Sequence, residues 1–301
     1  MKSKNISIAA LILTAVLWGL SYSAQAEAMD NLQPLVFVSL RYLLGTVMLL
    51  IPLAFTRKKS SGSAVNSKQL LSGGILCGVF LAGGEILQQF GLLYTTAGKA
   101  GFLTALYVIM IPLIGIFLRK RTTAKIWIAA VISVIGSTLL CATGSDLLAI
   151  GSKGDWLMIC CALFFAFQFI AIAKYAPDAE PLGLACIQFA TVSVISAAAA
   201  LLAQESWQWH RITAAYYPLL YCGLIAIGIA CTIQVAAQKY VHPATASIIL
   251  STASVFAVIW EVCLREAHYT LPNYLGCALI FLAVLLVQLP ERAAELTAEK
   301  R

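Results

Sequence analysis

Charge is what this sequence has least of. Of its 301 residues, 20 are Lys or Arg and 13 are Asp or Glu, 11% in all, against 61% hydrophobic residues and a mean hydropathy of +0.89. A soluble domain carries about 25% charged residues, so an ordinary water-facing surface cannot be built from this chain. Histidine is rarer still: His210, His242 and His268 sit at the ends of apolar runs, and the last two should face opposite sides of a membrane. No GxSxG, HExxH or P-loop pattern occurs, so the usual hydrolase, zinc-protease and nucleotide-binding signatures are missing. The nine cysteines form no CxxC pair and no cluster with histidine, and all lie in apolar runs. They read as small packing residues, and no disulfide, metal or other cofactor is expected. No basic face with interleaved aromatics is available for nucleic acid.

What is abundant is apolar length. Ten runs of roughly membrane length occupy 6–24, 35–56, 70–93, 98–118, 124–142, 154–174, 181–203, 215–237, 243–264 and 273–289. A span needs about 20 apolar residues, and every backbone amide in lipid must be satisfied internally, so these runs should be helices. The alternating strands of about ten residues that mark a β-barrel are missing. The expected fold class is therefore all-α integral membrane, with ten transmembrane helices. The first run follows Lys2 and Lys4 and ends near Ala24, Ala26 and Ala28, as a secretory leader would, but it is long for a leader and is read as a span. With the N terminus in the cytosol, fifteen Lys and Arg residues fall on the cytosolic side and only Lys99, Lys153, Arg211 and Arg265 outside. Ten spans then return the C terminus to the cytosol, and the net charge of +7 follows from topology and anionic lipid.

The second half of the chain echoes the first. YTTAGKAGFLTALY, beginning at Tyr94, returns as YVHPATASIILSTAS from Tyr240. An offset of 146–147 aligns Pro34 with Pro181, Gln88 with Gln234, Arg41 with Gln188 and Ser21 with Gln168. The expected division is a first five-helix repeat over 1–146, a second over 147–292 and a cytosolic tail over 293–301. An odd number of spans per copy inverts one copy relative to the other, an architecture that belongs to transporters.

Together with Trp18–Gly19 and the SLRYLLG stretch containing Arg41, these segments resemble the drug/metabolite transporter superfamily, of the ten-helix EamA type. The resemblance covers nearly the whole chain. It implies two inverted five-helix repeats around a central cavity, both termini cytosolic, and movement of a small metabolite or drug across a bacterial-type inner membrane, with export as the expected direction. The chain departs from the pattern twice. The ninth helix of relatives often carries Glu-Pro after ILSL, whereas here Ala253 and Ser254 follow ILST; the fourth often reads LTALYP, whereas here Val108 follows and proline waits until Pro112. Losing both prolines should straighten those two helices. No run reads as unwound, so no sodium site is visible.

Charges inside the hydrocarbon are the sharpest local signal, since each costs about 2.5–3.5 kcal/mol at a helix centre. Arg41 and Glu85 lie at matching depths from one face and should approach each other. The pair either locks two helices or meets substrate or a proton, and Glu85 is the candidate for proton coupling. Glu85, Gln88 and Gln89 share one helical face, while Gly83, Gly84 and Gly91 invite close packing. The candidate substrate-binding set is Trp18, Ser21, Tyr22, Arg41, Glu85 and Gln88, with Gln89, Tyr107, Gln168, Gln188 and Gln234. Lys99 should either snorkel to the headgroups or attract anions at a helix N terminus, Glu261 and Arg265 should pair near the surface, and Trp207 and Trp209 should belong to an interfacial belt. The expected partners are a small-molecule substrate and the lipid bilayer, for a monomer or homodimer working by alternating access. A membrane enzyme or a channel without carrier activity is the alternative.

Overall fold

The computed structural model describes residues 2–59, 67–95, 97–119, 122–140, 151–265 and 269–289, and these form helices and turns with no strand among them. Ten spans follow in order. The first three are Lys2–Ala28, Pro34–Lys59 and Ser67–Gly91. The fourth is divided into Ala97–Ala105 and Tyr107–Phe117, and the fifth is Ala124–Leu140. Lys153–Tyr175 and Pro181–Leu202 are the sixth and seventh, and Tyr216–Gln238 is the eighth. The ninth is divided into Pro243–Leu250 and Ala253–Arg265, and Leu271–Gln288 is the tenth. A short helix, Trp209–Ala214, precedes the eighth span. Every expected apolar run is thus a helix. The contact expected between Glu261 and Arg265, the tail 293–301 and the charges at Lys120, Arg121, Arg292, Lys300 and Arg301 lie outside what is described.

Two pairs of equivalent spans, the second with the seventh and the fifth with the tenth, pack against each other antiparallel. Between the second and seventh, Ser39 Oγ donates to the Ser193 carbonyl at 3.2 Å and Ser193 Oγ donates to the Ser39 carbonyl at 3.1 Å. Glu205, just past the seventh, accepts from the amides of Leu35 and Val36 at the start of the second, at 3.3 and 2.9 Å. Between the fifth and tenth, Asn273 Nδ2 donates to the Leu140 carbonyl at 2.7 Å, and at the other end Lys125 Nζ donates to the Leu289 carbonyl at 2.6 Å. Mates that run in opposite directions make the repeats inverted, with a pseudo-twofold lying in the membrane plane. One face of the bundle, the terminal face, holds the start of the first span and the end of the tenth; the other is the far face.

Helices close on one another where side chains are small, because apolar lipid supplies no hydrophobic drive between helices. Along the third and sixth spans, Gly83 faces the Phe164 ring, Gly84 the Phe165 ring and Gly91 the Met158 side chain. Between the fifth and tenth, a Cβ on Gly136 would sit 2.9 Å from the Gly276 carbonyl oxygen. At the far face Lys99 Nζ bonds Asp155 Oδ2 at 2.8 Å, and the same oxygen accepts from the Gly151 and Ser152 amides at 3.1 and 3.0 Å. Lys99 therefore staples the fourth span to the sixth through a buried carboxylate instead of snorkelling.

The two straight helices expected from the missing prolines are not found. The fourth span is interrupted at Leu106 and the ninth at Ser251–Thr252, positions related by the repeat offset. In the ninth, Ser251 Oγ and Thr252 Oγ1 donate back to the carbonyls of Ile248 and Ile249, each at 2.7 Å, and Ser254 Oγ donates to the Ser251 carbonyl at 2.8 Å. Hydroxyls that capture carbonyls within their own turn bend a helix as a proline does. In the fourth, the Leu106 amide tightens onto the Leu103 carbonyl at 3.3 Å. The eighth span is distorted differently, forming a π-helix over Tyr221–Cys231.

Adding a side chain at Gly276 tests the fifth–tenth contact. Gly276→Val would drive a Cβ into the Gly136 carbonyl and the backbone of Leu140, and overpacking of this kind costs about 1–3 kcal/mol. The thermal midpoint in detergent should fall, whereas Gly101→Ala, where no atom lies within 4 Å of the added Cβ, should leave it near the native value.

Candidate functional site

The two interruptions, the π-helix and the buried ion pair meet around one cavity of about 850 Å³, counted out to its mouth. Nine of the eleven residues singled out from sequence line it. The first span contributes Trp18, Ser21 and Tyr22, the second Arg41, and the third Glu85 and Gln88. Tyr107 comes from the fourth, Gln168 from the sixth and Gln234 from the eighth. Gln89 and Gln188 are fully buried and are not on the lining. Gln188 stands directly behind it, accepting from Gln168 Nε2 at 3.4 Å. Toward the far face the lining residues Tyr22, Glu85 and Gly101 are partly exposed; toward the terminal face Gln234, Leu250 and Ser251 are buried. The cavity is therefore closed on the terminal side, where the Tyr107 and Phe169 rings stack with centroids 5.3 Å apart.

The ion pair is real. Arg41 Nη2 donates to Glu85 Oε2, with the guanidinium also 4.9 Å from the Phe37 ring centroid and 5.7 Å from that of Tyr42. The two ends differ in access: the Arg41 side chain is 3% exposed and that of Glu85 14%. Both line the cavity, and the carboxylate is the more exposed end of the pair. Gly83 and Gly84 pack the neighbouring helix while Glu85 and Gln88 face inward, so the small and polar positions of this stretch divide the work by helix face.

The first span is tied to the distorted eighth. Trp18 Nε1 donates to the Ala226 carbonyl at 3.0 Å, Thr14 Oγ1 to the Ala230 carbonyl at 3.2 Å, and Tyr221 Oη returns a bond to the Leu17 carbonyl at 2.7 Å. These bonds hold the indole against the cavity.

Sequence reasoning missed several lining residues: Gln25, Tyr42, Thr104, Cys222, Ser251 and Ser254. Gln25 was within reach, since it lies one turn beyond Ser21, to whose Oγ its Nε2 donates at 3.5 Å. Thr104 bonds Gln88, a contact across two spans that no helical periodicity can announce. Among the described residues no group of three or more His, Cys, Asp or Glu could hold a metal ion.

Removing the Glu85 carboxylate strands a buried guanidinium, and loss of one partner of such a pair costs about 3–5 kcal/mol. Glu85→Ala should lower the unfolding midpoint sharply, and the Arg41→Met, Glu85→Leu double variant should recover most of it. A native-like midpoint for Glu85→Ala would show that the pair contributes nothing to stability.

Comparison with known proteins agrees with this arrangement. The EamA-like transporter family matches the chain twice, over residues 5–142 and 152–289. An uncharacterized transporter of Archaeoglobus fulgidus is 29% identical over 281 residues, covering 93% of this chain and 84% of that protein. The uncharacterized transporter YoaV of Bacillus subtilis is 23% identical over 281 residues, covering 90% of this chain and 92% of its own length. A solved crystal structure at 18% identity superposes with a TM-score of 0.74 over 96% of this chain and 98% of the other, which shows the same fold. With two copies of the family pattern spanning ten apolar helices in inverted order, the chain belongs to the EamA-like transporter family and is a multi-pass membrane protein.

Proposed function

We propose that the protein is a carrier that exports a small metabolite or drug across an inner membrane by alternating access, with both termini in the cytosol. The observation that carries this reading is a polar cavity between two inverted repeats, closed on the terminal side and partly open on the other. The repeats, 1–146 and 147–292, supply two frames that rock about it. The paired interruptions at Leu106 and Ser251–Thr252 lie at equivalent depths and supply places where each frame can bend. The fifteen cationic residues that the sequence assigns to that side support its cytosolic placement. On this reading the structure is the outward-open state.

Glu85 is the group that would couple transport to protons, because it alone among the lining residues is an acid and it is the more exposed end of its ion pair. Protein reconstituted into vesicles should show saturable counterflow of at least one small metabolite; flux that rises linearly without saturation would point to a channel. Glu85→Gln should flatten the pH dependence of that flux, and an unchanged pH profile would remove the proton role while leaving the carrier reading in place.

A further inference from the structure

The cavity has a polarity of its own, in the sense of donors and acceptors. Many of the hydrogen-bond donors on its wall are engaged with the protein. Trp18 Nε1 donates to the Ala226 carbonyl, and Ser21 Oγ to the Trp18 carbonyl at 2.8 Å. Gln25 Nε2 donates to Ser21 Oγ, and Arg41 Nη2 to Glu85. Gln88 Nε2 donates to Thr104 Oγ1 at 3.4 Å, and the Thr104 hydroxyl is itself turned to Met158 Sδ at 3.7 Å, so it meets Gln88 as an acceptor. Gln168 Nε2 donates to Gln188 Oε1. Arg41 Nε and Gln234 Nε2 have no partner among the described residues, and both atoms are sealed from the open space.

Several oxygens are in reach as acceptors. The amide oxygens of Gln88, Gln168 and Gln234 have no donor among the described residues and are not sealed. The Glu85 carboxylate is the exposed end of its ion pair and keeps lone pairs beyond the one that Arg41 takes. The Tyr107 hydroxyl can serve either way. Around these oxygens stand aromatic rings, Trp18, Phe165 and Phe169, whose faces attract cations. The ion pair adds a field of the same sense, because its negative end is the more exposed.

We propose that this cavity selects an organic cation bearing N–H donors, such as a primary ammonium, amidinium or guanidinium on an apolar or aromatic body, and rejects anions. Each N–H of such a ligand finds a carboxamide or carboxylate oxygen, while its body covers the rings. An anion would meet four oxygen acceptors and the negative end of the ion pair. A quaternary ammonium would keep the ring contacts and lose the oxygens.

The inference rests on the carrier reading of the same cavity, and its test therefore measures binding and not flux. Purified protein is titrated with phenethylammonium, trimethyl(phenethyl)ammonium, phenylethanol and phenylpropanoate, and the shift in thermal midpoint is converted to affinity. Phenethylammonium should bind tightest, the trimethyl form about ten-fold or more weaker for its lost charge-assisted hydrogen bonds, and phenylpropanoate not measurably. Glu85→Gln should weaken phenethylammonium about ten-fold and leave phenylethanol unchanged. Gln88→Leu, which keeps the ion pair and the fold, should weaken it in the same direction, and Gln88→Glu should strengthen it. Equal binding of the ammonium and its trimethyl form, binding of the carboxylate as well as the ammonium, or failure of every cation to bind at millimolar concentration to protein that unfolds cooperatively would each overturn the inference. Cation binding without saturable flux in vesicles would overturn the carrier reading and leave the selectivity standing.

Discussion

A charge buried in a bilayer must find its counterion inside the protein, and in this chain Arg41 finds Glu85. That requirement organises the rest. It joins the second and third spans at one depth and turns the carboxylate inward. It also leaves the cavity with zero net charge on its wall but with the negative end of a dipole the more exposed. Removing either member would be costly because the Coulomb attraction lost is that of a low-dielectric interior, where water cannot step in.

The same rule, applied to backbone instead of side chains, explains the irregular parts. A helix that bends or widens in lipid releases carbonyls, and each must be given a donor. In the ninth span the donors are the hydroxyls of Ser251, Thr252 and Ser254 from within the helix. In the eighth, Trp18 and Thr14 of the first span supply two donors from outside, to Ala226 and Ala230. Distortion is thus completed by nearby donors, three of which, on Trp18, Ser251 and Ser254, belong to residues that line the cavity.

The topology was legible in sequence because hydropathy acts locally: a run of about 20 apolar residues has no other stable state in lipid than a helix. The internal echo was legible for the same reason, since Tyr94 and Tyr240 mark the same turn in each copy. The pairing of Arg41 with Glu85 could be argued from cost alone, as two opposite charges at matched depth have few other partners. Misreadings came where a residue had two acceptable fates. Lys99 could reach headgroups or a carboxylate, and only the packing of the fourth span against the sixth brought Asp155 within 2.8 Å. The interruptions were misjudged because proline was taken as the marker of a bend, when hydroxyls bend helices as well. Gln89 shares a face with Glu85 and Gln88, yet it is fully buried and lies off the lining.

By itself the sequence determined the class: all helix, ten spans and two inverted copies, with Arg41 expected to meet Glu85, each a consequence of what lipid forbids. Tertiary structure alone decided which side chains look into the cavity, which of their donors are consumed, and which face is closed. Those depend on contacts between spans far apart in the chain, Gln88 with Thr104, Trp18 with Ala226 and Tyr107 with Phe169. Helical periodicity assigns a residue to a face, but only the neighbouring helix settles whether that face meets protein, lipid or open space.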